Sequence, residues 1–273
     1  MPQAAPDALV AQHQSWFFIL AHPGHELRAH HVLELTAPVV AILTDGSGSS
    51  GHSRLEETRE LLALLGARPG AVFGAMTDGD VYRALMRNDA RPFHRIVDRL
   101  AAEIDASRAD AVVLDAAEGY NPAHDLCHWI GRAALAHVSR PARQLQAFEL
   151  DLVGHPDQKG PGLRILLDAA AFARKIAAAT RYRTLAAEAA AAFDAFGADA
   201  FRVEFLRALP DVALPPPTWV PPYEQIGEQR VATGRYSSVL RFATHVRPVL
   251  AALAPHGDEG RCAESRRAET LRL

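Results

Sequence analysis

Ser15-Trp16-Phe17-Phe18-Ile19-Leu20-Ala21 is an apolar, aromatic-rich run that stops abruptly at His22-Pro23-Gly24. An uninterrupted apolar segment that ends on loop-forming residues reads as a buried strand meeting a turn. Outward from it the pattern alternates. Residues 26–35 read as a helix, and PVVAILTD (38–45) as a second buried strand. GSGSSGHS (46–53) reads as a loop, and RLEETRELLALLG (54–66) as a helix whose leucines recur at helical spacing and whose Gly66 is a C′ stop. AVFGAM (71–76), a helix over 91–106, ADAVVLDAAEG (109–119) and a helix over 124–137 continue the alternation. Strands separated by helices of this length form a parallel sheet, because parallel neighbours need long crossover connections. Such open sheets bind ligands beyond the carboxyl ends of their strands, so the segments after Ala21, Asp45, Met76 and Ala117 are where chemistry is expected.

Past Leu150 the pattern changes. Residues 163–196 read as a long alanine-rich helical region, and LPPPTWVPP (214–222) as a linker. PPYEQIGEQRVATGRYSSVLRF (221–242) reads as an ordered cap or hairpin leading to a last helix over 242–253. One α/β domain over residues 1–256, its cap included, and a charged, mobile tail over 257–273 are expected.

The 273 residues suffice for a full core, and 49% hydrophobic with 22% charged residues excludes a disordered or disulfide-stapled chain. A net charge of -3 gives no broad positive field for gathering phosphates, so no nucleic-acid partner is expected. Two cysteines, Cys127 and Cys262, cannot build a disulfide framework, which fits a reducing cytoplasm. The first residues lack a basic n-region, and the run at 15–21 is too short to span a bilayer, so neither export nor membrane insertion is expected.

Two segments could carry chemistry. Ala21-His22-Pro23-Gly24-His25-Glu26 puts two imidazoles and a carboxylate on the turn leaving the first strand, and both groups ligate zinc well. Spacing alone leaves solvated loop histidines equally open. Glu118-Gly119-Tyr120-Asn121-Pro122-Ala123-His124-Asp125-Leu126-Cys127-His128 follows the fourth strand at the same sheet edge. Together the loops can assemble a three-ligand site with a coordination position left for water or substrate. A rival pair is His124 and His128, four apart on one helix face.

The glycine-rich loop 46–51 offers backbone amides to a phosphate but lacks the Walker lysine and the GxGxxG spacing, so a substrate-facing loop is the better reading. With LDAAEG it also suggests a nucleotide-binding transferase as a third, weaker possibility. Thr77-Asp78-Gly79-Asp80 reads as a turn and helix cap. His30 and His31 read as packing or surface residues. Tyr223, Glu224 and Tyr236 read as core residues, or as the lining of a sugar-sized pocket.

In these motifs the chain resembles the PIG-L/LmbE family of zinc-dependent de-N-acetylases over about residues 16–131. The family's Ala-His-Pro-Asp-Asp-Glu corresponds to AHPGHE (21–26). Its Thr-Asp/Leu-Gly strand end, Arg-x-x-Glu helix and Leu-Gly stop correspond to LTDGSGSSGHSRLEETRELLALLGA (43–67). Its His-Pro-Asp-His loop corresponds to EGYNPAHD (118–125). FRVEFLR (201–207) is a looser echo.

The resemblance implies a three-layer Rossmann-like α/β fold with a mainly parallel central sheet and a C-terminal helical and cap region. It makes His22 and His124 metal ligands and puts His25 in place of the ligand aspartate. Arg54 corresponds to the helix-start arginine and, with Tyr120, would contact substrate; a surface ion pair is as good a reading of Arg54. The family's general-base aspartate falls on Gly24, its second-loop histidine on Asn121 and its second-loop aspartate on Ala123.

A three-histidine zinc, or another divalent metal, would keep its full positive charge and lower the pKa of bound water to about 7, as in carbonic anhydrase. Glu26 or Asp125 would take the proton if either faces the site; either is equally a helix-start carboxylate. Asn121 would donate to the oxyanion. The function so implied is metal-dependent hydrolysis of an N-acyl group on an amino-sugar-like small molecule. The alternative is a catalytically degenerate relative that binds metal or ligand without deacetylation. The only partner implied is the N-acylated small molecule; a homo-oligomer is left open.

Overall fold

The protein is represented by a computed structural model that describes residue 10 and residues 12–48, 50–139 and 145–254. The expected tail at 257–273, with Cys262, lies outside the described residues. Five parallel strands form most of the sheet: β1 (Trp16–Leu20), β2 (Val39–Thr44), β3 (Arg68–Met76), β4 (Ala111–Asp115) and β5 (Gln146–Leu150). Strand β7 (Val203–Ala208) is antiparallel to both β5 and β6 (Gly162–Leu166). The spatial order is β3-β2-β1-β4-β5-β7-β6. This is a mixed, mostly parallel α/β sheet with helices on both faces, the expected class.

Strand β1 shows why the layers form. Phe17, Ile19 and Ala21 enter one core and Trp16, Phe18 and Leu20 the other, each at most 2% exposed. Burying such a side chain contributes about 1.5–3 kcal/mol. On the first face pack α3 (Asp78–Met86), α4 (Arg91–Ser107), α5 (Pro122–His137), α8 (Pro222–Ala232) and α9 (Arg247–Leu253). On the second pack α1 (His30–Thr36), α2 (Leu55–Leu64) and α6 (Ala169–Arg181). The remaining helix, α7 (Ala186–Phe196), buries none of its residues fully.

Four details differ from the sequence pattern. The helix expected over 26–35 is a 3₁₀ turn (His25–Ala29) followed by α1, because Glu26 turns inward to accept from the Gly24 amide. The alanine-rich stretch is not one helix. Leu163 and Ile165 alternate inward as edge strand β6, Asp168 then caps α6 by accepting from the Ala171 amide, and a break at residues 182–185 separates α6 from α7. Helix α3, too short and mixed to stand out, starts at a reciprocal Thr77/Asp80 capping box. The 221–242 cap is the helix α8 and not a hairpin. Among the described residues no helix is long and apolar enough to cross a membrane.

Candidate functional site

Strand order reverses between β1 and β4: the chain leaves β1 toward β2 on one side and leaves β4 toward β5 on the other. The loops after these two neighbours therefore part and leave a crevice at their carboxyl ends. The loop after β1 brings His22 and His25 to it. The loop after β4 ends at Asn121, which caps α5 by accepting from the Ala123 amide at 2.9 Å and so puts His124 in the first turn. The three imidazoles meet, with ring centroids 5.3 Å (His22–His25), 5.0 Å (His22–His124) and 4.6 Å (His25–His124) apart.

Their surroundings fix which nitrogen is available. The Thr44 hydroxyl donates to the Ala21 carbonyl at 3.1 Å, so at 2.6 Å from His22 Nδ1 it accepts, leaving the proton on Nδ1 and the lone pair on Nε2. Asp78 Oδ1, 3.1 Å from the same Nδ1, favours the same tautomer. His25 Nδ1 lies 2.7 Å from Asp115 Oδ2, which also accepts from the Ala21 amide at 2.6 Å. Donation from Nδ1 to that carboxylate again frees Nε2. His124 Nδ1 is buried with no hydrogen-bond partner among the described residues.

Burial, reinforced by the neighbouring imidazoles, holds the pKa values of His25 and His124 well below the ordinary histidine value, so both are neutral near pH 7. Three imidazoles, two with Nδ1 tied to oxygen and one with Nδ1 orphaned, suit a divalent cation chemically. As they stand the rings pack edge-on, and among the described residues no three His, Cys, Asp or Glu side chains are yet drawn into a metal-holding arrangement.

Asn121 Nδ2 is 3.5 Å from His22 Nε2. Arg54 and Tyr120 both line the crevice; Tyr120 is 51% exposed, and Arg54 Nε holds the glycine loop through the Gly46 carbonyl at 2.7 Å. Glu26 and Asp125 lie elsewhere. Glu26, fully buried, accepts from the Gly24 amide at 2.7 Å and from the Thr58 hydroxyl at 2.7 Å, and Thr58 lies 2.6 Å from the Tyr182 hydroxyl. Asp125, 2% exposed, accepts from the Gly119 amide at 3.0 Å. Burial raises both carboxyls to about 7, but neither lines the crevice; they brace its two loops from behind.

His128 also faces away from the cluster, with Nδ1 2.9 Å from the Asp115 carbonyl, so it does not pair with His124 as a ligand. His30 and His31 are buried in α1. Tyr223 and Tyr236 line the crevice, whereas Glu224 is taken by Arg241 and the Phe242 amide. The Gly48 amide donates to Asp78 Oδ2 at 2.5 Å and the Ser47 amide to Asp45, so the loop satisfies its own carboxylates rather than cradling a phosphate.

Sequence reasoning passed over Thr44 and Asp115, which share one signal, a polar residue closing an otherwise apolar strand (VVAILT, AVVLD). Asp78 reads in the sequence as part of a turn and helix cap after the third strand; the cap is there, formed by Thr77 and Asp80, and Asp78 itself turns to His22.

Gly24 explains its own sequence. It sits at φ +104°, and a Cβ there would come 1.9 Å from Leu185 Cδ1. The space a side chain at this position would claim is filled by Leu185.

The crevice opens into a cavity of about 1590 Å³ walled from both layers of the fold. Fold and site together define an α/β protein with a histidine-centred cavity at its topological switch point. No protein-family model matches the chain, and no curated protein does. Among solved structures it is similar to the antimicrobial reagent A40926 pseudoaglycone deacetylase Dbv21, with 16% identity, 63% of this chain and 82% of that one covered, and a TM-score of 0.45. It is also similar to the conserved protein TT1542 from Thermus thermophilus, with 17% identity, 74% and 98% covered, and a TM-score of 0.43.

Proposed function

We propose that the protein is a PIG-L/LmbE-like, metal-dependent hydrolase that removes an N-acyl group from an amino-sugar-like small molecule, with His22, His25 and His124 holding zinc or another divalent cation. The meeting of three imidazoles from two separate loops carries this reading. A cation held there supplies Lewis acidity to polarise an amide carbonyl and acidify water. The chain's own groups do the rest. Asp115, Thr44 and Asp78 orient His25 and His22. Asn121, with its carbonyl oxygen committed to the α5 cap, presents its amide N–H to the cavity, where it can stabilise a tetrahedral oxyanion. Ionised Asp78, its pKa held low by the His22 ring and the Gly48 amide against the cost of burial, lines the crevice 3.1 Å from His22 Nδ1 and orients that ring, whereas Glu26 and Asp125 do not line it and are not assigned the proton.

One observation favours a second reading, binding without hydrolysis: Leu185 fills the space beside Gly24 where the resemblance calls for a base. Elemental analysis after metal-replete purification tests the first half of the proposal. About one metal per chain is expected in wild type and much less in His25→Ala; no metal in either refutes it. A panel of N-acetylated sugars, with His22→Ala as control, separates hydrolysis from mere binding.

A further inference from the structure

The cavity's two walls differ in chemistry. On the α3/α8 side stand Arg87, Arg230 and Arg235. Arg230 donates to the Tyr236 hydroxyl at 2.8 Å, while Arg87 and Arg235 meet no carboxylate among the described residues. Among the described residues the only carboxylates lining the cavity are Asp78 and Glu188, and Asp78 is engaged by His22 and Gly48. In a chain of net charge -3, clustering guanidinium groups around a cavity runs against the overall balance and costs mutual repulsion.

The opposite wall is α7. Leu185, Ala189, Ala192, Phe193 and Phe196 recur at helical spacing along the cavity, half-buried, on a helix that packs none of its residues fully into the core. α3 and α8 pack on one face of the sheet, and α6, which leads into α7, packs on the other. The histidine cluster, at the carboxyl ends of β1 and β4, therefore lies where the two walls meet.

We infer that the substrate is an anionic N-acyl compound, its amine half carrying an oxyanion group bound by Arg87, Arg230 and Arg235 and its acyl half an apolar chain lying along α7. The inference rests on the hydrolase reading and narrows it. A guanidinium fork matches carboxylate and phosphate alike, so their shared oxyanion chemistry is what the wall selects. A small neutral N-acetyl sugar would leave both walls without a partner.

Calorimetric binding to the metal-replete protein tests this with four probes: N-octanoylglucosamine, its phosphate ester, its uronic acid and the N-acetyl counterpart of the phosphate ester. Tightest binding is expected for the octanoyl anions, by about tenfold over the neutral octanoyl probe, the weight of one charge-assisted contact, and by at least about tenfold over the acetyl probe, which lacks six methylenes to lay along α7. The double variant Arg87→Glu/Arg235→Glu should abolish the preference for charge and Ala192→Trp the preference for chain length. These positions lie outside the packed core, so both proteins should fold. Whether phosphate or carboxylate binds better identifies the headgroup.

Equal affinity for neutral and charged probes, or a charge preference that survives the double variant, overturns the inference. Product analysis of the same mixtures keeps the two claims apart. Selective binding with no cleavage of any probe refutes the hydrolase reading alone, and cleavage without selectivity refutes this inference alone.

Discussion

Replacing Gly24 by alanine probes the feature that most separates this site from the family it resembles. Two costs arise. A φ of +104° lies in the left-handed region, where a Cβ costs about 1–2 kcal/mol. At 1.9 Å from Leu185 Cδ1 the methyl also cannot coexist with that side chain, and displacing a packed leucine costs about 1–3 kcal/mol more. Gly24→Ala should therefore lose roughly 2–5 kcal/mol. For a chain of this size that lowers Tm by about 10 °C. Leu185→Ala alone removes a half-buried side chain and should cost about 1 kcal/mol. In the double variant the clash disappears and the backbone strain and the loss of the leucine remain, so it should be more stable than the sum of the single losses by the clash term, about 1–3 kcal/mol. Urea denaturation of the four proteins at fixed metal content measures the cycle. Strict additivity, or a Gly24→Ala loss below about 1 kcal/mol, would show that Leu185 does not occupy the place of a side chain at residue 24.

Glu26 gives a pH prediction. Its carboxyl is raised from 4.5 to about 7 by burial, so the unfolded state ionises first as pH rises and folding stability falls between those values, then levels off. Relative to Glu26→Gln, wild type should lose on the order of 3 kcal/mol between pH 4 and pH 8, read from urea midpoints; parallel pH curves for the two proteins would refute the assignment. Asp115→Asn should weaken metal binding by about ten- to a hundredfold in chelator competition while leaving far-UV circular dichroism unchanged, because the Asp115 carboxylate orients His25. Unaltered affinity would mean that the His25–Asp115 pair is structural only.

The parallel half of the fold was legible because its signals are local and strong. β1 is apolar throughout and β2 up to Thr44, and α2, α4 and α5 have long amphipathic periods. What escaped was decided by partners distant in sequence. The β6 segment GLRIL adjoins an alanine run with far stronger helix propensity and becomes a strand only because β7, some forty residues later, pairs with it. The residues holding the histidines escaped for a similar reason: Thr44 and Asp115 acquire meaning only when β2 and β4 are placed on either side of β1, which brings both to the backbone and rings of Ala21–His25. The placement of Glu26 and Asp125 away from the crevice has the same root. Both lie next to a cluster histidine in sequence, but adjacent residues in a turn point in different directions, and these two point behind the loops.

Gly24, His25 and Leu185 form one physical unit. The three-histidine cluster carries no anionic side chain of its own: ionised Asp78 stands behind His22, and Asp115, raised by burial to about 7, holds His25. A carboxylate at residue 24 would need Leu185 to withdraw, yet Leu185 begins the apolar stripe that forms the α7 wall. The apolar cavity wall and a side chain at residue 24 therefore exclude each other. Hydrolysis at this site would proceed with no carboxylate at residue 24, with Asp115 and Asp78 orienting the imidazoles from behind and the α7 wall holding the substrate.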